Sequence, residues 1–180
     1  MLTEERIPTP NTMEGVITIR PATVDDCAVI RELEDELAVY QHIPGEFKPT
    51  AQELRRDFEE KLWRGMVAEQ VGGRVIGFSM YFFVYSWEGK AAHMEDLFVT
   101  EAFRGRGIGT RLWKEVLADA LANRCKICNF QVMRFNEASQ SYYLKKGAKN
   151  MSLGPEGYVD FRMEEAAMRA LVSPKQQQLG

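Results

Sequence analysis

Glu95 and Asp96 stand one strand-length upstream of a turn whose glycines fall at 105, 107 and 109. Adjacent carboxylates on an apolar strand can accept a proton, the more so where burial raises a pKa. Successive strand residues face opposite ways, so one carboxylate addresses a given cavity and the other binds a cation or holds structure. A glycine-rich turn that opens a helix presents unpaired backbone N–H groups and the positive end of the helix dipole to an anion. Arg104 and Arg106 add positive charge there. The stretch 94–110 thus offers an anion cradle at one end and a proton acceptor at the other.

The turn fits some phosphate ligands and not others. A dinucleotide fingerprint needs glycines at the first, third and sixth positions, and the sixth position counted from Gly105 is Thr110. A P-loop needs Gly-Lys-Ser/Thr after four intervening residues, and none follows. The run Arg104-Gly-Arg-Gly107-Ile-Gly109 resembles the Arg/Gln-x-x-Gly-x-Gly/Ala motif of the GCN5-related N-acetyltransferase (GNAT) superfamily. The resemblance implies that amides of this loop, from Arg104, Gly105, Arg106, Gly107, Gly109 and Thr110, hold the pyrophosphate of acetyl-CoA.

The flanking pattern supplies elements to position this loop. Val16–Arg20 reads as a first strand stopped by Pro21, and Thr23 with Asp26 starts a helix carrying Cys27, Ile30, Leu33, Leu37 and Tyr40 at helical spacing. Thr50 with Glu53 caps a second helix bearing Leu54, Phe58 and Leu62. Met66–Gln70 and Arg74–Tyr85 bracket a Gly72-Gly73 turn, a hairpin signal. Ile76, Phe78, Met80, Phe82 and Val84 would share one face of the second arm, with Val75, Tyr81 and Phe83 on the other. Ala91–Thr100 is the strand feeding the glycine loop. The next helix, from about Gly107 to Asn123, is expected to bury Ile108, Leu112, Val116, Leu117 and Leu121. Lys126–Met133 returns as a strand, and Asn136–Lys146 reads as a short helix ended by Gly147. Met151–Leu153 and Tyr158–Met163 would form a last hairpin, followed by a helical 164–172 and a polar tail.

This order is similar to the GNAT fold, an α/β (α+β) architecture. The resemblance implies a mixed central sheet of about seven strands, splayed between the fourth and fifth and flanked by helices, with the cofactor's pantetheine in the gap. It places a flexible leader at 1–15, the acetyltransferase domain at 16–165, and a helix end and tail at 166–180. Local wording narrows the likeness to the spermidine/spermine and thialysine acetyltransferase branch. It is carried by Ile19-Arg-Pro-Ala-Thr23, Glu36-Leu-Ala38 with Tyr40, Gly77–Phe82, Glu95-Asp96 with Phe98-Val99, Asn136-Glu137 with Ser139, and Tyr143 before Lys145-Lys-Gly-Ala148.

By that resemblance Glu95 is the base, directly or through water, and Tyr143 the acid that reprotonates the leaving thiolate. Asn136 and Ser139 touch the cofactor, Lys145 meets its phosphates, and the backbone of Leu97, Phe98 and Val99 faces its acyl end. Tyr40, Asp96 and Glu156 are the substrate-binding residues. The branch's acidic residue after the helix-one Tyr is Gln41 here, and Ser86 replaces an Asp in a shorter turn. Fewer acids suit a diamine, thialysine or an amino-acid side chain better than spermidine or spermine. The chemistry needs a base because an aliphatic amine near pKa 10.4 costs about 4–5 kcal/mol to deprotonate at pH 7. A CoA-binding module without turnover and a protein or peptide N-acetyltransferase are the alternatives.

Composition bounds the rest. A chain of 180 residues with 45% hydrophobic and 27% charged residues suits one soluble domain. A net charge of −3 argues against a general nucleic-acid binder, and no apolar run reaches bilayer length. The start MLTEERIPTP lacks a signal peptide's regions, so a cytoplasmic protein is expected. Cys27, Cys125 and Cys128 give an odd count without framework spacing. Cys125 and Cys128, three apart on an extended strand, would face opposite sides, and with His42 and His93 they complete no zinc set, so no metal is expected. The partners expected are a small amine and a second copy in a homodimer, the latter from the resemblance alone.

Overall fold

The computed structural model describes residues 16–153. The leader 1–15, Glu156, the expected strand 158–163, the helix 164–172 and the tail lie outside the described residues. Residues up to Phe135 form one compact unit and those from Asn136 a second.

In the first unit five strands make one sheet: β1 (Ile17–Pro21), β2 (Arg64–Gln70), β3 (Arg74–Ser86), β4 (Gly89–Val99) and β5 (Cys128–Phe130). β1 to β4 pair antiparallel in chain order, and β5 lies parallel to β4. A parallel neighbour requires a crossover, supplied by the helix α3 (Ile108–Ala122). Two further helices precede β2, α1 (Cys27–Tyr40) and α2 (Ala51–Glu59). Against the expected count of about seven, five strands are found among the described residues. Met151–Leu153 forms a 3-10 turn instead of a strand, and 158–163 is not described.

Helix starts follow their caps. Thr50 accepts a hydrogen bond from the Glu53 amide at 3.2 Å while the Glu53 carboxylate takes the Thr50 amide at 2.8 Å, a reciprocal box that opens α2. Thr23 and Asp26 form the same box, but around a 3-10 turn, Val24–Asp26, so α1 itself begins only at Cys27. Arg20 clamps Asp26 through two bonds of 2.7 and 2.9 Å and pairs with Glu69, tying β1 and β2 to that turn. Burial works against ionisation of Asp26, yet the bonds from Arg20 and Thr23 overcome it and hold the carboxyl below its ordinary range.

The main core lies between the sheet and α1 and α2, built from Cys27, Ile30, Leu33, Leu37, Leu54, Val67, Val75, Phe78, Met80 and Phe98. Val75 thus shares a side with Phe78 and Met80, contrary to simple alternation. The register shift opposite Ala68 and Glu69 leaves Ile76 as an extra residue in β3 and reverses the parity there. Leu62 is exposed because α2 stops at Glu59; Trp63 fills the place, its Nε1 donating to the Leu54 carbonyl at 3.1 Å. On α3 the buried stripe runs through Ile108, Leu112, Trp113, Val116 and Ala120, and Leu121 is 71% exposed. Cys125 and Cys128 pack in one small cluster with Ala92 and Ala120. Strand alternation does not separate them, because β5 starts only at Cys128. Burial, with Cys125 beside it, pushes the Cys128 thiol up to about 11, an unreactive state at neutral pH.

Candidate active site

β4 carries the adjacent carboxylates Glu95 and Asp96, and its irregularity decides where they go. Met80 pairs with Asp96 and Tyr81 with Met94, so Glu95 is surplus to the ladder, a β-bulge. Before it, Ala92 packs with Ala120 of α3; beyond it, Leu97 and Val99 approach Gly109 of α3. The side facing α3 is therefore even-numbered before the bulge and odd-numbered after it. Asp96 and Phe98 face α1. Glu95, released from pairing, is half-exposed and lies 3.3 Å from His93 Nε2.

β5 pairs with β4 only at Ala92, His93 and Met94. From Glu95 onward no β5 residue matches β4, so the two strands part at the bulge. The splay expected between the fourth and fifth strands would begin here, where β5 ends at Phe130. Backbone groups of Leu97, Phe98 and Val99 on that edge are left beyond the reach of the β5 ladder. The Phe98 side chain itself is core, 5% exposed.

The glycine loop follows. Gly105 and Gly107 both have φ of +75°, and a Cβ placed on either meets no heavy atom within 4 Å. The turn thus demands a left-handed backbone and leaves space in front of it. Gly107 caps α3 without a side chain, and the Arg111 amide bonds back to the Gly107 carbonyl at 3.1 Å. The positive end of the dipole of this 15-residue helix lies at the loop, an anion-receptive start. Gly109 sits against Leu97, and Thr110 is half-buried in the same turn. These features fit the diphosphate of a coenzyme.

The arginines of the loop are fixed by the protein. Arg104 Nε donates to the Val99 carbonyl at 2.8 Å, and its guanidinium lies 4.5 Å from the Tyr40 ring centroid and 5.2 Å from that of Phe98. Arg106 donates to the Ala102 carbonyl at 3.1 Å and lies over Phe103. Tyr40 packs edge-on to Phe135 as well, at 6.2 Å, so this ring braces Arg104 besides being a substrate candidate. Arg104 locks the loop to the end of β4.

Two residues that sequence periodicity passed over stand beside the expected ones. His93 touches Glu95 and stacks on Phe82 at 5.0 Å. Glu34 of α1 is 2% exposed and within hydrogen-bonding reach of Asp96. Its signal was available: 34 falls at i+4 from Ile30 within the apolar stripe. Burial, then the charge of Asp96, drives Glu34 far above the ordinary glutamate range. Asp96 is raised too, by burial and by Glu95.

The second unit holds α4 (Glu137–Lys145). Asn136 caps it, its Oδ1 accepting from the Ser139 amide at 3.1 Å, so both expected cofactor residues have a local structural task. Tyr143 is buried with Tyr142 packed edge-on at 5.3 Å, Lys145 is exposed in the last turn, and Gly147 follows at φ +97°.

Residues 29–148 match the Acetyltransferase (GNAT) family. The chain belongs to that family. Acetyl-CoA is the co-substrate of GNAT acetyltransferases, and this chain is one of these N-acetyltransferases. Thialysine N-epsilon-acetyltransferase of Mus musculus is 33% identical over 163 residues, covering 85% of this chain and 95% of that protein. Spermidine/spermine N(1)-acetyltransferase-like protein 1 of Homo sapiens is 36% identical over 153 residues, covering 80% of this chain but only 22% of that longer protein. An aminoglycoside N-acetyltransferase solved in complex with CoA superposes with a TM-score of 0.64 at 19% identity, covering 83% of this GNAT chain and 95% of that one, which speaks to the fold. No helix among the described residues is long and apolar enough to cross a membrane.

Proposed function

We propose that this acetyltransferase transfers acetyl directly to the primary amine of a short cationic molecule, a diamine or a thialysine- or lysine-like compound, as a cytoplasmic homodimer. What supports the substrate class is the pair of adjacent carboxylates on β4, Glu95 and Asp96, on the strand that leads into the glycine loop. Anionic groups at that place favour an ammonium, and their small number favours a short one. The amine relatives named above point the same way, and their names as enzymes weigh against a binding module without turnover.

In this mechanism Asp96 holds the incoming ammonium. Glu95, half-exposed and free of ladder pairing, takes the proton that must leave before nitrogen attacks, directly or through water. The new C–N bond forms as the C–S bond breaks, and a backbone N–H from 97–99 stabilises the carbonyl oxygen's developing charge. Tyr143 donates the proton that converts the departing thiolate to the thiol, and the second proton, shed by the nitrogen as it becomes an amide, restores the phenol. The loop amides from Arg104 to Thr110 hold the coenzyme's diphosphate, and Asn136, Ser139 and Lys145 add contacts to it.

A free-thiol assay across diamines, polyamines, lysine, thialysine and peptides tests this. Highest kcat/KM with a short diamine or thialysine is expected. Preference for peptides, or no thiol release with any amine, overturns the substrate class or the turnover. Light scattering tests the dimer.

A further inference from the structure

No role described so far uses Glu34 itself. The residue lies in the core stripe of α1, between Leu33 and Leu37, and is 2% exposed. Its Oε1 is buried with no hydrogen-bond partner, which leaves Oε2 to meet the Asp96 carboxyl. Two carboxylates in contact inside a protein do not both ionise; the bond between them exists only if one carries the proton. Burial decides which. An ionised Glu34 would strand a charged oxygen in an apolar cluster, whereas the neutral acid strands only a carbonyl. Asp96 is less deeply covered and is the natural acceptor.

The groups around the pair leave this assignment in place. Arg31, on α1, lies 2.6 Å from Asp35, and its charge favours an ionised Glu34, but burial and the facing Asp96 outweigh it. Glu95, on β4, is a second anion and opposes further ionisation; its own neighbour is His93. The sheet contributes Val67, Phe78, Met80 and Phe98 to the surrounding cluster and α2 contributes Leu54, all apolar.

We infer that Glu34 is a positioning residue for Asp96: its carboxyl proton, donated across to β4, keeps Asp96 an anion available to the substrate's ammonium. This rests on Asp96 being a substrate-binding carboxylate, as proposed above. The directions of titration agree with it. Burial and the facing Asp96 hold Glu34 protonated at neutral pH, and the Glu34 hydrogen bond opposes the rise that burial and Glu95 impose on Asp96. Without that donor, Asp96 protonates at higher pH and loses its hold on a cation.

The test compares Glu34→Leu, Glu34→Gln and Asp96→Asn with the full-length wild type. Initial rates are taken with 1,3-diaminopropane and with thialysine at saturating acetyl-CoA between about pH 5.5 and 9, a range spanning the raised carboxyls. Coenzyme A affinity is measured by calorimetry. Glu34→Leu should raise the amine KM about tenfold, the scale of one hydrogen bond to a charged group. It should also move the acid limb of kcat/KM to higher pH, with coenzyme A affinity unchanged. Glu34→Gln, whose amide still donates, should restore both. A wild-type KM and acid limb in Glu34→Leu, or Gln behaving as Leu does, overturns the inference. If Asp96→Asn raises KM while Glu34→Leu is silent, the inference fails alone. If Asp96→Asn leaves KM unchanged, or wild type acetylates neither amine, the substrate reading fails and takes the inference with it.

Discussion

Replacing Gly107 separates what the backbone requires of that position from what a ligand requires. A side chain there meets no protein atom within 4 Å, so the folding cost is that of a left-handed L-residue alone. For Gly107→Ala this is about 1–2 kcal/mol. At about 2–4 °C per kcal/mol for a domain of this size, Tm should fall by about 2–8 °C with unfolding still cooperative. Gly107→Val costs somewhat more, because a branched Cβ tolerates positive φ poorly. Its two methyls also project into the open space beside the glycine loop. If the coenzyme's diphosphate occupies that space, coenzyme A affinity drops by at least tenfold, about 1.4 kcal/mol, in a protein that is still folded. Thermal unfolding by circular dichroism and titration calorimetry with coenzyme A, run well below Tm, give both numbers. Undiminished affinity in the Val variant refutes the cradle. A stability loss above about 5 kcal/mol in the Ala variant would show that the space was never free, since a left-handed residue alone costs far less.

Glu95→Gln should lower kcat at neutral pH by about 10²-fold or more while coenzyme A affinity holds; an unchanged kcat removes Glu95 as base. Tyr143→Phe should slow turnover, with the deficit easing for thioesters whose thiol leaves more readily, and a wild-type rate discards the phenol as acid. Arg104→Ala loses its bond to the Val99 carbonyl and its stacks on Tyr40 and Phe98, so stability should fall by about 1–2 kcal/mol by denaturant unfolding. Asp26 is held below its ordinary range, so its contribution is present above about pH 4 and lost as pH falls through the depressed folded value. Asp26→Asn should flatten that acid slope in urea midpoints. Glu34 runs the other way: a raised folded pKa makes the native state bind the extra proton, so stability falls as pH rises above about 4.3. Glu34→Leu should therefore gain Tm over wild type by an amount that grows toward alkaline pH; a constant gap contradicts the protonated Glu34.

What the sequence made legible were features written in local chemistry. Thr50 with Glu53, the paired glycines at 72 and 73, Gly107 before an apolar helix and Gly147 after one each fix a backbone event within a few residues. The parity change at Ile76 stands beside Gly77, an isolated strand glycine of the kind that marks a bulge, but the one at Glu95 carried no such mark. A bulge without a glycine is set by the partner strand's register, which no local pattern contains. Glu34 was hidden for a different reason. A charged residue within an apolar stripe is assigned to solvent by default, and only the facing Asp96 makes its burial intelligible. Arg104 was recognised as a loop cation, but its anchorage depends on Tyr40 and the Val99 carbonyl, which folding brings to it.

The surplus position of Glu95 has a consequence for how the chain can be edited. Met94 and Asp96 already oppose consecutive residues of β3, so excising Glu95 would heal the ladder without turning any other side chain over. Most one-residue deletions inside a strand invert everything downstream. Here the carboxyl proposed as the base is a graft upon the scaffold, removable with its whole residue. A deletion mutant that folds with its neighbours in register would be a tool few enzymes allow: the same architecture, emptied of its base.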